Sequence, residues 1–271
     1  MHRRLQGIRH VALDLDGTIY NGATLLPSSN PFLALLAELR IGHTFLTNNP
    51  SKSREDYLKH LHSFGLQATA DNLYTSAQAT IEHLLALHPT VRRLFVLGTP
   101  SMCAEFSAAG FQLLPDSPAE EPDAVVVGFD TTLTYPRLCR AAWWIKRGKP
   151  WFATNPDRVC PTDQPTVLVD CGSICAMLQT ATGRAPAAVM GKPDPGMLRG
   201  ILHRHQLQPA QLAMAGDRLY TDMEMARRTG AVGVLVLTGE TTPAEAAASD
   251  IPDLVLPSLA EFGAMLRDAK K

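Results

Sequence analysis

The chain has 271 residues, with 25 Lys+Arg against 26 Asp+Glu and a formal net charge of -1. Hydrophobic residues make up 45% and charged residues 19%, which excludes wholesale disorder and suits one large α/β domain or two modest ones. The balanced charge offers no footprint for nucleic acid or an anionic membrane, and no apolar run approaches the roughly 20 residues that span a bilayer.

In chain order, Met1-His2-Arg3-Arg4 is basic, but no long apolar segment follows, so no secretory signal is expected. Val11 to Leu15, His43 to Thr47, Leu94 to Gly98, Ala124 to Gly128, Trp151 to Thr154, Gln211 to Ala215 and Val232 to Leu237 read as strands. Most are nearly continuous apolar runs, the pattern of parallel strands covered on both faces. Helices lie between them: Ser101 to Ala109 between Pro100 and Gly110, a stretch opened by Pro136 and closed by Gly148, and Thr221 to Thr229 stopping at Gly230. The alternation predicts right-handed βαβ units and an α/β fold. Trp143-Trp144 should place at least one ring in a core, and His203-Arg204-His205 reads as a solvated helix end. Cys103, Cys139, Cys160, Cys171 and Cys175 form no CxxC pair and no finger-like spacing, so buried reduced thiols of a cytoplasmic protein are expected.

The strongest local signal is Asp14-Leu15-Asp16-Gly17-Thr18 at the end of the first strand. Carboxylates at i and i+2 of a strand project from one side of the sheet, and ligands of open α/β sheets bind at the carboxyl ends of strands. A second apolar strand ends in Gly216-Asp217, with Asp222 five residues on. If the two strands are adjacent, Asp14, Asp16 and Asp217 converge on one cation, and oxygen-only ligands favour Mg2+. Asp222 then either caps the next helix or orients the ligands. Between these clusters, Gly191-Lys192-Pro193 holds a Lys in a stiff loop, a point charge suited to phosphate. Taken singly, each motif also reads as an acidic turn or a solvated Lys. An internal echo pairs Thr47-Asn48-Asn49-Pro50 with Thr154-Asn155-Pro156-Asp157, and turn chemistry alone does not choose between them.

Taken together, these motifs resemble the haloacid dehalogenase-like (HAD) superfamily of aspartate-nucleophile phosphatases. The flanking text, Thr18-Ile19-Tyr20-Asn21-Gly22, Gly191-Lys192-Pro193, Gly216-Asp217-Arg218-Leu219-Tyr220-Thr221-Asp222 and Val236-Leu237-Thr238-Gly239, is similar to its NagD-like, 4-nitrophenylphosphatase-like subclass IIA. The resemblance covers nearly the whole chain. It implies a Rossmann-like three-layer core with a parallel sheet, built from residues 1–75 and 188–271. An α/β cap domain, inserted over 76–187, would close over the site.

It further implies a Mg2+-dependent phosphatase acting on a small phosphorylated metabolite. Asp14 would be the nucleophile and Asp16 the general acid and base, Thr47, the amide at Asn48 and Lys192 would take phosphate oxygens, and Mg2+ would sit on Asp14, the Asp16 carbonyl and Asp217, supported by Asp222. Thr154-Asn155 falls in the cap, where Asn155, Asp157 and Arg158 become candidate specificity contacts, and Asp170 stands where relatives often carry a glycine-richer turn. The resemblance admits a cap-mediated homodimer. A phosphotransferase shares the same motifs and differs only in the acceptor. A catalytically silent binding module would have lost the nucleophile or the Lys, and this chain keeps both.

Overall fold

The computed structural model describes residues 1–160, 162 and 164–271. The chain gathers into two compact units. Met1–Thr47, Leu61–Tyr74 and Lys192–Lys271 form the first, and Asn48–His60 and Thr75–Gly191 the second.

The first unit carries a six-stranded sheet in the order Leu254–Leu256, Val232–Val236, Leu212–Gly216, His10–Asp14, Gly42–Thr47, Leu73–Thr75. The first five run parallel. Every residue of His10–Asp14, Leu212–Gly216 and Val232–Val236 is buried, which explains why these strands read as unbroken apolar runs. From His10–Asp14 the chain first winds outward through Gly42–Thr47, then resumes on the opposite side at Leu212–Gly216. The point where the strand order reverses therefore lies between His10–Asp14 and Leu212–Gly216. Sheets of this kind open a crevice for ligands at the carboxyl ends of such strands. The helices Ser29–Glu38 and Leu259–Ala269 pack together, with Phe32 stacked on Phe262 at 5.4 Å.

The buried His10 sits at the start of the central strand, and its Nε2 lies 2.8 Å from Thr44 Oγ1. A Cβ on the neighbouring Gly42 would come within 2.5 Å of the His10 ring, so the strand makes room for it. Burial, then the nearby His205 and His43, push the His10 pKa down to about 3. The unfolded chain takes this proton near the ordinary 6.5, whereas the folded protein does not until about 3. Stability is therefore lost as pH falls from about 6.5 toward 3, by up to about 1.4 kcal/mol per pH unit from this group. Thermal melts of His10→Gln should show a flatter decline than the parent between about pH 7 and 5. Equal slopes would mean that His10 is not the acid-sensitive group.

The second unit has its own five-stranded parallel sheet, in the order Ala188–Val189, Trp151–Ala153, Ala124–Val127, Arg93–Leu97, Gln112–Leu113. Thr99 caps the helix Pro100–Ala108 by accepting from Met102 N at 3.2 Å, and Pro100 opens it, as the Pro–Gly punctuation predicts. On one face Trp144 and Trp151 pack with Phe95, Val125, Ile174 and Leu178. Trp143 lies outside that core, 37% exposed, with the guanidinium groups of Arg140 and Arg147 about 5 Å from its ring. A short antiparallel pair of strands, Val159–Cys160 with Leu168–Val169, also belongs to the unit.

All five cysteines are free thiols, but only Cys171 and Cys175 are buried; Cys139 is exposed on the helix Tyr135–Lys146, and Cys103 and Cys160 are half-buried. The expectation of uniform burial fails because thiol chemistry does not fix helix phase. His203 and Arg204 do end a helix, Gly196–Arg204, and are exposed there.

Candidate active site

Asp14 is the last residue of its strand, paired in register with Leu46, and Asp217 follows directly on Gly216 at the end of the adjacent strand. Two neighbouring strands thus deliver two carboxylates to the switch point, as the sequence predicts. The third carboxylate is Asp222, buried in a π-turn at Leu219–Met223 that precedes the helix Glu224–Thr229. Asp14, Asp217 and Asp222 offer oxygens that all lie within 4.8 Å of one another.

The carboxylate of Asp16 does not belong to this group. The alternation argument, which aims residues i and i+2 to one side, holds only while the strand continues. The strand stops at Asp14, and the chain turns through Gly17 at φ +83°. Asp16 is half-buried in that turn, bridged to Tyr20.

Lys192 enters the cluster almost fully buried; its Nζ donates to Asp14 Oδ1 and lies 2.7 Å from Asp222 Oδ1. Asp222 Oδ2 also accepts from Arg218 N at 3.1 Å. Asp222 therefore does more than begin the next helix: it braces Lys192 against Asp14. Burial opposes the Lys192 charge, but Asp14 and Asp222 outweigh it and push its pKa up.

Asp217 is held differently. Its Oδ2 accepts from Glu240 N at 2.6 Å, and a Cβ on Gly17 or Gly239 would come within 2.4 or 2.0 Å of that oxygen. Gly216 plays the same part for Asp222, whose carboxylate carbon lies 2.4 Å from where a Cβ would stand. The Gly-Asp pair at this strand end is thus a packing requirement as well as a turn signal. Burial, then the charges of Asp14 and Asp222, raise the Asp217 pKa to about 8. Burial raises Asp222 to about 6, with Lys192 opposing and Asp14 adding to the rise.

These shifts and the donor set fit a divalent cation. Three carboxylates face one ammonium, and Asp217 Oδ1 is buried with no hydrogen-bond partner among the described residues. Thr18 Oγ1 and Thr221 Oγ1 are buried in the same condition. An all-oxygen set of this charge suits Mg2+. Arg218, to which the motifs assign no role, places its Nε 2.9 Å from Glu240 Oε2; burial opposes its charge, but Asp14 and then Glu240 outweigh it and push its pKa up. Its position directly after Gly-Asp was the available signal.

Thr47 ends its strand, buried. Asn48 falls in the second unit, where its Nδ2 donates to Asp157 Oδ2 at 3.1 Å. The two halves of the sequence echo therefore meet through this bond. Asn155 is fully buried: it accepts from Thr154 Oγ1 at 2.8 Å and donates to Asp170 Oδ1 at 3.1 Å. Asp170 also caps the helix Cys171–Thr182, so it braces a strand end rather than facing solvent. Of the three candidate specificity residues only Arg158 is exposed, while Asp157 is half-buried.

Residues 11–112 match the family model for haloacid dehalogenase-like hydrolases, and residues 189–262 match a HAD-hydrolase-like model. The D-glycerol 3-phosphate phosphatase of Mycobacterium tuberculosis is 39% identical over 84% of this chain and 62% of its own length. The chain thus spans under two thirds of that relative. An acid sugar phosphatase of Staphylococcus saprophyticus is 31% identical over 89% of this chain and 90% of its own. Among solved structures, the 4-nitrophenylphosphatase from Thermotoga maritima superposes with a TM-score of 0.90 at 39% identity, covering 96% of this chain and 98% of that one. Glycerol phosphate phosphatase from Mycobacterium tuberculosis, solved in complex with magnesium, gives 0.85 at 32% identity over 97% and 77%. With the strand-end aspartates, the buried lysine and the sheet order in agreement, the chain belongs to the haloacid dehalogenase-like hydrolases, among the NagD-like and 4-nitrophenylphosphatase-like phosphatases.

Proposed function

We propose that this chain hydrolyses small phosphomonoesters with Mg2+ through an aspartyl-phosphate on Asp14. The observation that carries the reading is the buried group of Asp14, Asp217 and Asp222 with Lys192 bonded into it. Asp14, Asp217 and the main-chain carbonyl of Asp16 would hold the cation. When bound, Mg2+ offsets the repulsion between an anionic nucleophile and a dianionic ester.

An Asp14 carboxylate oxygen attacks phosphorus, and the bond to the leaving alkoxide breaks. Asp16 gives that oxygen a proton, so the alcohol departs neutral. Asp16 then takes a proton from water as the water oxygen attacks phosphorus and the Asp14 ester bond breaks, releasing phosphate. Lying in a turn outside the carboxylate group supports Asp16 in this role, since a proton carrier is not needed as a ligand. Thr47, the main-chain N–H of Asn48 and Lys192 take phosphate oxygens, where charge resides in a loose transition state. Lys192 meanwhile fixes one oxygen of Asp14 in place.

The self-contained parallel sheet of the second unit supports reading 76–187 as the inserted cap that selects the substrate. The named relatives are a D-glycerol 3-phosphate phosphatase and an acid sugar phosphatase, which supports polyol and sugar phosphates as the first substrates to try. Five free thiols fit a reducing, cytoplasmic setting, and among the described residues no helix is long and apolar enough to cross a membrane.

A phosphate-release panel over polyol, sugar and nucleotide monophosphates tests the reading. Release should require Mg2+, vanish with chelator and return when the metal is restored. Chelator-insensitive release would overturn the metal assignment, and transfer of phosphate to an added alcohol in preference to water would make the enzyme a phosphotransferase.

A further inference from the structure

The opposite end of the same sheet carries a cavity of about 550 Å3, within the roughly 300–1,000 Å3 range of small-molecule sites. Arg9, Ile41 and Gln211 line it, each immediately preceding one of the three central strands. It also gathers Arg3, Arg4, Arg40 and Lys270, and no carboxylate lines it.

Two of the five cations are committed elsewhere. Arg4 is paired with Asp253, and Lys270 Nζ donates to the carbonyls of Gln6 and Ile8, both at 2.8 Å. Among the described residues, no ion pair or side-chain hydrogen bond engages the guanidinium groups of Arg3, Arg9 and Arg40. The backbone of Arg9 is locked between strands, donating to Gln211 O at 2.8 Å and accepting from Gly42 N at 3.0 Å, so its side chain starts from a fixed point.

Arg40 supplies an independent observation. It closes the helix Ser29–Glu38 at φ +55°, in the left-handed region that glycine or asparagine occupies at lower cost. Backbone strain retained at a charged side chain points to a use for that side chain. Burial, then the charge of Arg9, push the Lys270 pKa down, the sign of a positive field with no counter-charge.

We infer that this cavity is a second binding site, for a small polyphosphate anion, held by the guanidinium groups of Arg3, Arg9 and Arg40. Planar guanidinium forks grip phosphate oxygens in pairs, and three unpaired forks match a chain of phosphates better than one. The apolar floor of Leu39 and Ile41 leaves room for an organic group on the anion. Free polyphosphate and a nucleoside triphosphate share the required chemistry.

Isothermal titration of the full-length, chelator-treated protein with tripolyphosphate and, separately, ATP tests the site while the catalytic metal is absent. Both should bind, more weakly as salt rises. Similar affinities mean that only the phosphate chain is held, and tighter ATP means that the floor takes the nucleoside. Arg9→Glu/Arg40→Glu should weaken tripolyphosphate about tenfold or more, with 4-nitrophenyl phosphate hydrolysis unchanged. Arg40→Gly keeps the assay interpretable if that variant does not fold: it relieves the left-handed strain, so it should melt no lower than the parent and still bind more weakly. No binding to the parent, or equal affinity in the variants, overturns the proposal. A short single-stranded DNA that binds more tightly than tripolyphosphate would replace it with a nucleic-acid contact.

Discussion

Asp14→Asn should lower phosphatase kcat on the order of 10^4-fold or more, with KM and melting temperature close to the parent's. The amide is nearly isosteric and can still meet Lys192, which donates to Asp14 Oδ1, so binding and fold persist while the nucleophile is gone. Rapid-quench mass spectrometry should find the parent carrying one phosphoryl group during turnover and the variant carrying none. Asp16→Asn should behave differently. Its loss should be large for alkyl phosphates, whose alkoxide needs a proton to depart, and much smaller for 4-nitrophenyl phosphate, whose phenoxide does not. Equal losses on both esters would remove Asp16 from the acid role. Release that survives Asp14→Asn would remove Asp14 from the nucleophile role.

The second large effect is a split between stability and activity at Asp217. In the metal-free protein three carboxylates crowd within 4.8 Å, and Lys192 meets Asp14 and Asp222 but no bond joins it to Asp217. Asp217→Asn replaces a carboxyl that folding must either protonate or hold against the charges of Asp14 and Asp222, and it keeps an oxygen to accept from Glu240 N. In chelator the variant should therefore melt no lower than the parent. Each kcal/mol of relieved repulsion would show as a rise of about 2–4 °C in a chain of this size. Adding Mg2+ should raise the parent's melting temperature and leave the variant's unmoved. Activity should fall by more than about a hundredfold, the upper end for groups that only support a ligand. A variant that still responds to Mg2+ would place the cation elsewhere, and one that melts well below the parent in chelator would mean that Asp217 is a structural rather than a liganding group.

The parts of this arrangement that were readable in advance rest on local regularities. Fully buried parallel strands produce apolar runs, so His10–Asp14, Leu212–Gly216 and Val232–Val236 stand out. Strand ends that need glycine beside a carboxylate produce Gly-Asp. Short strands such as Leu73–Thr75, Gln112–Leu113 and Leu254–Leu256 leave no comparable trace, because two or three residues are too few to establish a period. The alternation that would aim the Asp16 carboxylate beside Asp14 ends at the turn through Gly17, a break that spacing alone does not mark. The inward aim of Asp222 comes from a π-turn, which has no spacing signature in sequence. Asn155 looked available in its loop, yet its partner Asp170 lies 15 residues away, beyond any local pattern. The cationic cavity was concealed by the net charge: Arg3, Arg9, Arg40 and Lys270 are scattered in sequence and balanced by acids elsewhere.

The interrupted path of the chain through the first unit sets an order of events during synthesis. His10–Asp14 pairs with Leu212–Gly216, and the helix Leu259–Ala269 packs on Ser29–Glu38. The second sheet, by contrast, draws on strands that all emerge between Arg93 and Val189. While a ribosome is still translating, that sheet has every strand it needs, whereas the strand bearing Asp14 pairs early with Gly42–Thr47 but waits for its second partner some two hundred positions later. The nascent polypeptide thus carries Asp14 without Lys192, Asp217 or Asp222 until Leu212–Gly216 and the turn after it have emerged, so the carboxylate cluster assembles late in synthesis.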